Sequence, residues 1–220
     1  MIMYMCEDKD MKKFDLSLYF ITDSSNYSET EFLYRVEQGI VGGATLVQLR
    51  EKEKTTLEYI RLAQKVHDIT SKYNIPLIID DRVDVALAIN AEGVHVGQSD
   101  MPVSMARKLM GSKKIVGATT KTVPQALEAY KAGADYLGVG AIYETTTKVK
   151  TVLTAVSTLN DICKAVPIPV NAIGGLNKNN IDILKDIQIS GICVVSAIMK
   201  ATNPKLEAEI LKLRLKDIGL

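Results

Sequence analysis

Two carboxylates and three cations follow short apolar runs of the sequence, and together they could bind a polyphosphate through a metal ion. The carboxylates are Asp81 and Asp100, and the cations are Arg50, Lys52 and Lys148. Mg²⁺ prefers oxygen ligands and is usually held by one or two carboxylates together with substrate phosphates. Each residue alone could be a solvated loop residue or one half of an ion pair. The prediction therefore depends on the whole set meeting at one place.

Glycines and a serine late in the chain suggest a second phosphate-binding place. Gly174 and Gly175 follow one apolar run, and Gly191 and Ser196 belong to the next. Without a Cβ atom, glycine lets backbone N–H groups approach an anion closely. A tight turn explains the glycine pair equally well.

The histidines and cysteines show none of the spacings of nucleophilic or zinc chemistry. His95 lies inside an apolar run, so a hydrogen-bonded residue within the fold is favoured over a general acid or base. His67 falls on a helical stretch and is interpreted as a surface or packing residue. The three cysteines, Cys6, Cys163 and Cys193, form no disulfide or metal pattern, and Cys193 is interpreted as core. Cysteines without a disulfide pattern are typical of proteins in a reducing compartment.

The charge balance and the apolar stretches exclude several classes of partner. Lys and Arg number 27 and Asp and Glu 26, and this net charge of +1 argues against a broad basic face for nucleic acid. No apolar stretch approaches the ~18 residues that a membrane span needs. The opening MIMYM is too short for a signal peptide. We expect a cytoplasmic protein that binds neither nucleic acid nor membrane, and a homo-oligomer stays open.

Eight short apolar runs alternate with longer stretches of helical periodicity. Continuous apolar runs of this length are typical of strands buried on both faces, as in a parallel sheet. The segment 56–73 carries one apolar stripe, Pro102 and Asn203 mark helix starts, and Gly43 and Gly133 mark helix exits. The predicted strands are 18–22, 45–49, 76–80, 93–96, 114–118, 136–140, 169–173 and 192–196.

Eight strand–helix units at a spacing of about 25 residues favour an α/β fold, the (β/α)8 TIM barrel, which typically needs ~250 residues. A doubly wound open sheet is the alternative, but no GxGxxG motif opens the first helix. We predict one barrel domain over residues 16–220 and a short N-terminal extension over 1–15. In such a barrel the loops after the strands meet at one face, so the polyphosphate residues would share one mouth.

Six segments carry more specific motifs. They are VQLREK (47–52), DDRVDVAL (80–87), GVHVGQSD (93–100), DYLGVGAIYETTTK (135–148), AIGGL (172–176) and VVSAI (194–198). In this order, over residues 18–198, the sequence resembles the thiamine-phosphate synthase family, although the last two segments recur in many phosphate-binding barrels. The resemblance implies a Mg²⁺-dependent transferase that joins hydroxymethylpyrimidine diphosphate to thiazole phosphate and releases pyrophosphate.

The resemblance also implies roles for the matched residues. Asp81 and Asp100 would hold Mg²⁺, and Thr119 would donate a hydroxyl hydrogen bond where the family usually has serine. The other contacts comprise three cations for the diphosphate, two side chains for the pyrimidine and five residues for the thiazole phosphate. The three cations are Arg50, Lys52 and Lys148, and the two pyrimidine contacts are Tyr19 and Gln48. The five thiazole-phosphate contacts are Thr145, Thr147, Gly175, Val195 and Ser196.

The chain departs from the family pattern at Asp80, where asparagine is usual. An amide can donate to a diphosphate oxygen, whereas an ionised carboxylate cannot and adds repulsion. We keep Asp80 among the substrate-binding candidates and expect it to pair with a cation or to bind the metal. In the loop after the sixth strand, Ala141 and Glu144 stand where prolines are common, and Lys150 where an acidic residue is common.

Two other functions stay open. A thiazole tautomerase is a related barrel that shares the phosphate pocket without needing the metal–diphosphate site. Those relatives carry a histidine just beyond the fifth strand, where this chain has Lys121. A non-catalytic barrel that senses phosphorylated ligands is the second alternative. The threonine-rich segment 143–150 is the candidate for a loop that closes over the substrates.

Overall fold

The computed structural model describes residues 14–144 and 152–220, and its centre is a closed barrel of eight parallel strands. The strands are β1 (Leu18–Ile21), β2 (Leu46–Leu49), β3 (Leu77–Asp80), β4 (Gly93–Val96), β5 (Ile115–Thr120), β6 (Tyr136–Gly140), β7 (Val170–Ile173) and β8 (Gly191–Val194). Each strand pairs with the next in the sequence, and β8 pairs with β1. The predicted TIM barrel is confirmed.

Helices surround the barrel and connect its strands. They are α1 (Glu29–Val41), α2 (Thr56–Lys72), α3 (Val83–Ala88), α4 (Val103–Met110), α5 (Val123–Lys131), α6 (Val156–Ala165), α7 (Ser196–Met199) and α8 (Pro204–Asp217). The connection from β7 to β8 contains a 3₁₀ turn, Ile181–Leu184, where the sequence pattern predicts a full helix.

Apolar side chains fill two layers, one on each face of the barrel wall. The outer layer lies between strands and helices and contains Phe32 of α1 and Val66 of α2. Because side chains alternate along a strand, every second residue points into the barrel instead. This inner layer comprises Leu16, Tyr19, Ile21, Leu46, Ile78, Ile115, Tyr136 and Cys193. Burial on both faces explains why the strands show continuous apolar runs.

The start of α2 is fixed by a capping box that ends the loop after β2. The backbone N–H of Glu58 donates to Thr55 Oγ1 at 3.4 Å, and the backbone N–H of Thr55 donates to Glu58 Oε2 at 2.9 Å. Both bonds satisfy backbone donors that have no partner within the helix. The loop that carries Lys52 therefore has a fixed end only three residues further on.

Two strand ends differ from the prediction by two residues. β5 runs through Thr120, so Thr119 lies in the strand and not in the loop after it. Threonine is β-branched, and β-branched residues favour strands. β8 ends at Val194, because the chain leaves the strand at Val195 (φ −117°, ψ −81°) and Ser196 starts α7. The side chains of 195 and 196 thus belong to a strand-to-helix turn.

The predicted helix starts and exits are confirmed. Pro102 precedes α4, and the Asn203 side chain accepts from the backbone N–H of Leu206 at the start of α8. Gly43 and Gly133 have φ values of +111° and +97°, which an L-residue with a Cβ atom rarely adopts.

The division into an extension over 1–15 and a barrel over 16–220 stays a prediction, since residues 1–13 lie outside the described ranges. Phe14 packs edge to face on Tyr136, with ring centroids 5.8 Å apart, at the amino-terminal side of β1. In the part of the chain that the structure describes, none of the helices has the length and apolar character of a membrane span.

Candidate active site

A cavity of about 220 Å³ opens at the carboxyl ends of the strands. Arg50, Lys52 and Asp81, from the loops after β2 and β3, lie at its rim. Every strand contributes to its wall: the residues include Tyr19, Gln48, Asp80, His95, Thr119, Gly138, Ile173 and Cys193. The barrel therefore brings side chains from distant parts of the sequence to one mouth, as its topology predicts.

Asp80 and two cations form an ion-pair cluster on one side of the mouth. Asp80 Oδ2 lies 3.0 Å from Lys52 Nζ and 3.7 Å from Arg50 Nε, and Lys52 also contacts the carboxylate of Asp81. Burial opposes the charge of Lys52, but the two carboxylates outweigh it and raise the Lys52 pKa. Asp80 thus pairs with cations, which is one of the two outcomes expected for a carboxylate at this position.

Asp81 and Asp100 place two carboxylates side by side. Asp100 Oδ2 accepts a hydrogen bond from the backbone N–H of Gly97 at 2.8 Å, and Asp81 lies within hydrogen-bonding reach of the Asp100 side chain. Burial, and then the proximity of Asp81, raise the pKa of Asp100. Asp81 lines the cavity, whereas Asp100 does not.

This carboxylate pair fits a hard divalent cation. A shared cation would remove the repulsion between Asp81 and Asp100, and Mg²⁺ typically binds through one or two carboxylates, several waters and substrate phosphates. Over residues 14–144 and 152–220, no group of three or more His, Cys, Asp or Glu side chains could enclose a metal. The donor set suits a metal shared with a phosphate-bearing substrate and not an all-protein cage.

The floor of the cavity is a continuous chain of polar side chains from five strands. Gln48 Nε2 donates to Tyr19 Oη at 2.7 Å, and Tyr19 Oη lies 2.8 Å from Tyr136 Oη. His95 Nδ1 lies 3.0 Å from Tyr136 Oη, and His95 Nε2 lies 2.9 Å from Thr119 Oγ1. The interpretation of His95 as a hydrogen-bonded interior residue is confirmed.

Two glycines make room for this chain inside the barrel. A Cβ atom on Gly117 would lie 2.1 Å from Tyr136 Cζ, and one on Gly138 would lie 3.3 Å from His95 Cε1. Gly117 of β5 is in register with both His95 of β4 and Tyr136 of β6. The aromatic and imidazole rings therefore occupy the space of the missing side chains.

On the opposite side of the mouth, β7 and β8 end in backbone turns. Gly174 and Gly175 have φ values of +107° and +65°, and a Cβ on Gly175 would lie 2.7 Å from Glu144 O. Gly175, Val195 and Ser196 all line the cavity. The first N–H groups of a helix such as α7 have no partner within the helix, so this side suits an anion.

Comparison with known proteins accounts for this arrangement. A family model described as "Thiamine monophosphate synthase" matches residues 18–198. This chain belongs to the thiamine-phosphate synthase family. The fold, the family resemblance and the classification as a transferase are confirmed together.

Individual relatives support the family assignment over most of the chain. The thiamine-phosphate synthase of Methanobrevibacter smithii is 50% identical over 199 residues, which cover 90% of this chain and 95% of that protein. The thiamine-phosphate synthase of Enterococcus faecalis is 52% identical over 186 residues, 84% of this chain and 88% of that protein. A solved structure of thiamine phosphate pyrophosphorylase from Pyrococcus furiosus has a TM-score of 0.85 at 36% identity, covering 93% of this chain and 98% of that one.

Most residues matched to the synthase family meet at the mouth. Those that line the cavity are Tyr19, Gln48, Arg50, Lys52, Asp80, Asp81, Thr119, Gly175, Val195 and Ser196. Thr145, Thr147 and Lys148 lie outside the described residues, as does most of the candidate closing loop 143–150. The roles assigned to all these residues stay predictions.

His67 and Cys193 take the structural roles expected of them. His67 Nε2 lies 3.2 Å from Glu92 Oε1 on the outside of the barrel. Cys193 is 3% exposed and belongs to the inner apolar layer. Burial raises the pKa of the Cys193 thiol well above its ordinary range, which makes it a poor nucleophile.

Sequence reasoning missed Tyr136 and the contact of Lys121 with the cavity. Tyr136 was assigned only to a strand, but it lies at the centre of the polar floor. The sequence did carry a signal for Tyr136. It lies two residues before Gly138 and pairs with Gly117 of the neighbouring strand, so its ring can point into the barrel where these glycines leave space. Lys121, the first residue after β5, lines the cavity.

Proposed function

We propose that this mouth joins hydroxymethylpyrimidine diphosphate to thiazole phosphate, forms thiamine phosphate and releases pyrophosphate. The observation that carries the proposal is the meeting of Arg50 and Lys52 with the carboxylate pair Asp81 and Asp100 beyond the ends of β2, β3 and β4. Cations and metal-ligating carboxylates together suit a diphosphate and exceed what a single phosphate requires.

The first chemical step is the departure of the diphosphate. The carbon–oxygen bond to the pyrimidine methylene breaks, and the electron pair leaves with the diphosphate oxygen. Arg50 and Lys52 neutralise the charge that develops there, and Mg²⁺ held by Asp81 and Asp100 would supply further charge stabilisation. The family resemblance adds Lys148 to these cations. The electron-rich aminopyrimidine stabilises the methylene cation that remains.

The second step forms the new bond. The lone pair of the thiazole nitrogen attacks the methylene carbon, so no proton has to be removed and no general base is needed. This agrees with the polar floor, where His95 is engaged by Tyr136 and Thr119. Catalysis then rests on holding the two reactants close together and on stabilising charge.

The two substrates would occupy opposite sides of the cavity. Tyr19 and Gln48 lie at one end of the floor, where the pyrimidine ring would rest, and Thr119 lies at the other end of the same chain of hydrogen bonds. The turns at Gly175, Val195 and Ser196 would bind the thiazole phosphate through backbone N–H groups. With the phosphate there, the thiazole nitrogen can face the methylene carbon.

We further infer that this enzyme works in the cytoplasm with small molecules as its only substrates. Support comes from the near-neutral charge and from free cysteines, Cys163 and Cys193, which are typical of a reducing compartment. Whether the chain forms a homo-oligomer stays a prediction.

The direct test is to incubate the protein with both substrates and Mg²⁺ and to measure thiamine phosphate and pyrophosphate. Chelation of the metal should abolish turnover, and added Mg²⁺ should restore it. Lys52→Gln should lower kcat/KM about 100-fold, as expected for the loss of one preorganised charged donor. Lys65→Gln, which removes a surface lysine paired with Glu29, is the matched control and should have little effect.

Other outcomes would point to the alternative functions. A folded protein that makes no thiamine phosphate but isomerises the thiazole would be a tautomerase. Binding of the phosphorylated ligands without any turnover would indicate a sensor. Either result would contradict the proposed synthase activity.

A further inference from the structure

The polar floor of the cavity is a chain of hydrogen bonds, and the direction of donation along it decides what Thr119 offers to the cavity. Its five side chains, Gln48, Tyr19, Tyr136, His95 and Thr119, form a continuous chain with distances of 2.7, 2.8, 3.0 and 2.9 Å. Burial raises the pKa of both tyrosines well above the ordinary range for tyrosine. Each hydroxyl therefore keeps its single proton and can donate only one hydrogen bond.

The direction follows from the first member of the chain. The amide nitrogen of Gln48 donates to Tyr19, so the Tyr19 proton is left for its other neighbour in the chain, Tyr136. In that order Tyr136 would accept from Tyr19 and donate to His95 Nδ1, which lies 3.0 Å away. A neutral imidazole whose Nδ1 accepts carries its proton on Nε2. His95 Nε2–H would then donate to Thr119 Oγ1, 2.9 Å away, and the Thr119 proton would point away from His95.

We propose that this chain holds His95 as the Nε2–H tautomer and so keeps the Thr119 hydroxyl as a donor toward the cavity. His95 is then a positioning residue that acts on the substrate through Thr119. The chemical partner that such a donor suits is an anionic oxygen, and the proposed function supplies one as the diphosphate. The inference rests on that function only for the identity of the acceptor.

The reverse direction would have the opposite chemical effect. If the Gln48 amide were turned over, its oxygen would accept from Tyr19, and each later bond would reverse. Thr119 would then donate to His95 Nε2 and present only lone pairs to the cavity. Lone pairs repel an anionic oxygen, so a diphosphate beside Thr119 favours the first direction.

The barrel is built to hold this chain. His95, Gly117 and Tyr136 are register partners on β4, β5 and β6, and the glycine leaves the space that the Tyr136 ring fills. Thr119 is in register with Gly138, whose missing side chain leaves room for the imidazole ring. The two glycines thus set the position of both rings.

The tautomer can be measured directly by long-range ¹H–¹⁵N NMR of the imidazole rings. The chain has 2 histidines, so His67→Gln leaves His95 alone in the spectrum. At a pH where the ring is neutral, we expect the pattern of a protonated Nε2 and an unprotonated Nδ1. A protonated Nδ1 would overturn the inference. This readout needs no substrate, so it can fail or succeed independently of the proposed synthase activity.

A double-mutant cycle tests the coupling to Thr119. Tyr136→Phe breaks the chain, and Thr119→Val removes the hydroxyl; each should lower kcat/KM about tenfold, the loss of one hydrogen bond to a charged group. The double variant should lose little more than either single variant, because both remove the same donor. Losses that multiply would mean that Tyr136 acts only through packing, and would overturn the positioning role.

Replacement of His95 gives a second check that does not depend on Tyr136. His95→Gln places an amide N–H near the position of Nε2, whereas His95→Leu keeps the volume without a donor. The glutamine variant should retain about tenfold more activity than the leucine variant. Equal activities in two folded variants would contradict the donor role. His67→Gln serves as the control and should behave like the wild type.

Discussion

Asp80 binds two cations of the mouth and at the same time adds a negative charge where the substrate carries its own. Its carboxylate lies 3.0 Å from Lys52 Nζ and 3.7 Å from Arg50 Nε, and the residue is only 8% exposed. A buried carboxylate needs such partners, because removing it from water is costly. The sequence suggested this pairing, but it could not say which cations would be involved.

We expect Asp80→Asn to change turnover by less than about threefold and to lower the KM for the pyrimidine diphosphate. The asparagine oxygen still accepts from Lys52, while its amide donates to a diphosphate oxygen and the repulsive charge is gone. Steady-state kinetics would measure both values. Asp182→Asn, at an exposed pair with Arg214, is the control. A strong rise in turnover would show that Asp80 is a handicap and would contradict a useful role in pairing.

Glu51, which lies between Arg50 and Lys52 in the sequence, allows a prediction about stability. Its side chain is 6% exposed, Oε2 accepts from Ser24 Oγ at 2.8 Å, and Oε1 is buried with no hydrogen-bond partner among the described residues. Burial raises the pKa of Glu51 above its ordinary 4.5. The folded state therefore binds the proton more tightly than the unfolded state.

The sign of the effect follows from this difference. As the pH rises from about 4 to about 8, the wild type should lose stability relative to Glu51→Gln, and the difference should level off above the raised pKa. Urea unfolding of both proteins at each pH would measure it. A difference that stays constant, or that favours the wild type at high pH, would show that burial does not penalise the Glu51 charge.

At the level of strands and helices, the barrel could be predicted because burial on both faces leaves an apolar run for each strand. The exceptions have physical causes. β8 ends two residues earlier than predicted, because Val195 continues the apolar run of the sequence although its backbone has left the strand. Thr119 was assigned to a loop because it is polar, although a polar residue at a strand end can face the cavity.

The polar floor of the cavity could not be predicted from the sequence, and the reason lies in how the strands pair. Its members come from five strands, and Tyr19 and Tyr136 are separated by 117 positions in the sequence. Which of them meet is decided by strand register and by the space above glycines, and neither leaves a short sequence motif. Arg50, Lys52 and Asp81 were easier to predict, since each lies within three residues of a strand end.

The glycines of β5 and β6 allow a test of this register. Gly117→Ala should destabilise the fold by about 2–3 kcal/mol, the upper part of the range for overpacked cores, because the new Cβ overlaps the Tyr136 ring. Gly138→Ala, with its nearest contact at 3.3 Å, is the matched comparison and should cost less than about 1 kcal/mol. Urea unfolding gives both values, and equal costs would refute the assigned ring position.

For the whole molecule, a net charge of +1 conceals a local arrangement at the mouth. Within the described residues, three cations there are balanced by three carboxylates: Arg50, Lys52 and Lys121, with Asp80, Asp81 and Asp100. These described residues alone offer a diphosphate no excess positive charge. A divalent cation at Asp81 and Asp100 would supply it, so metal and diphosphate should bind together.

Joint binding predicts a specific effect on thermal stability. Pyrophosphate with Mg²⁺, at about 100 times the dissociation constant, should stabilise the fold by about 2.7 kcal/mol and raise Tm by about 5–10 °C. Either ligand alone should give much less, since each lacks its partner charge. Lys52→Gln should lose most of the shift, and Lys65→Gln, at the surface pair with Glu29, should keep it. Differential scanning calorimetry would measure the shift in each of these cases. An equal shift from pyrophosphate in the presence of a chelator would show that the mouth binds the diphosphate through protein cations alone.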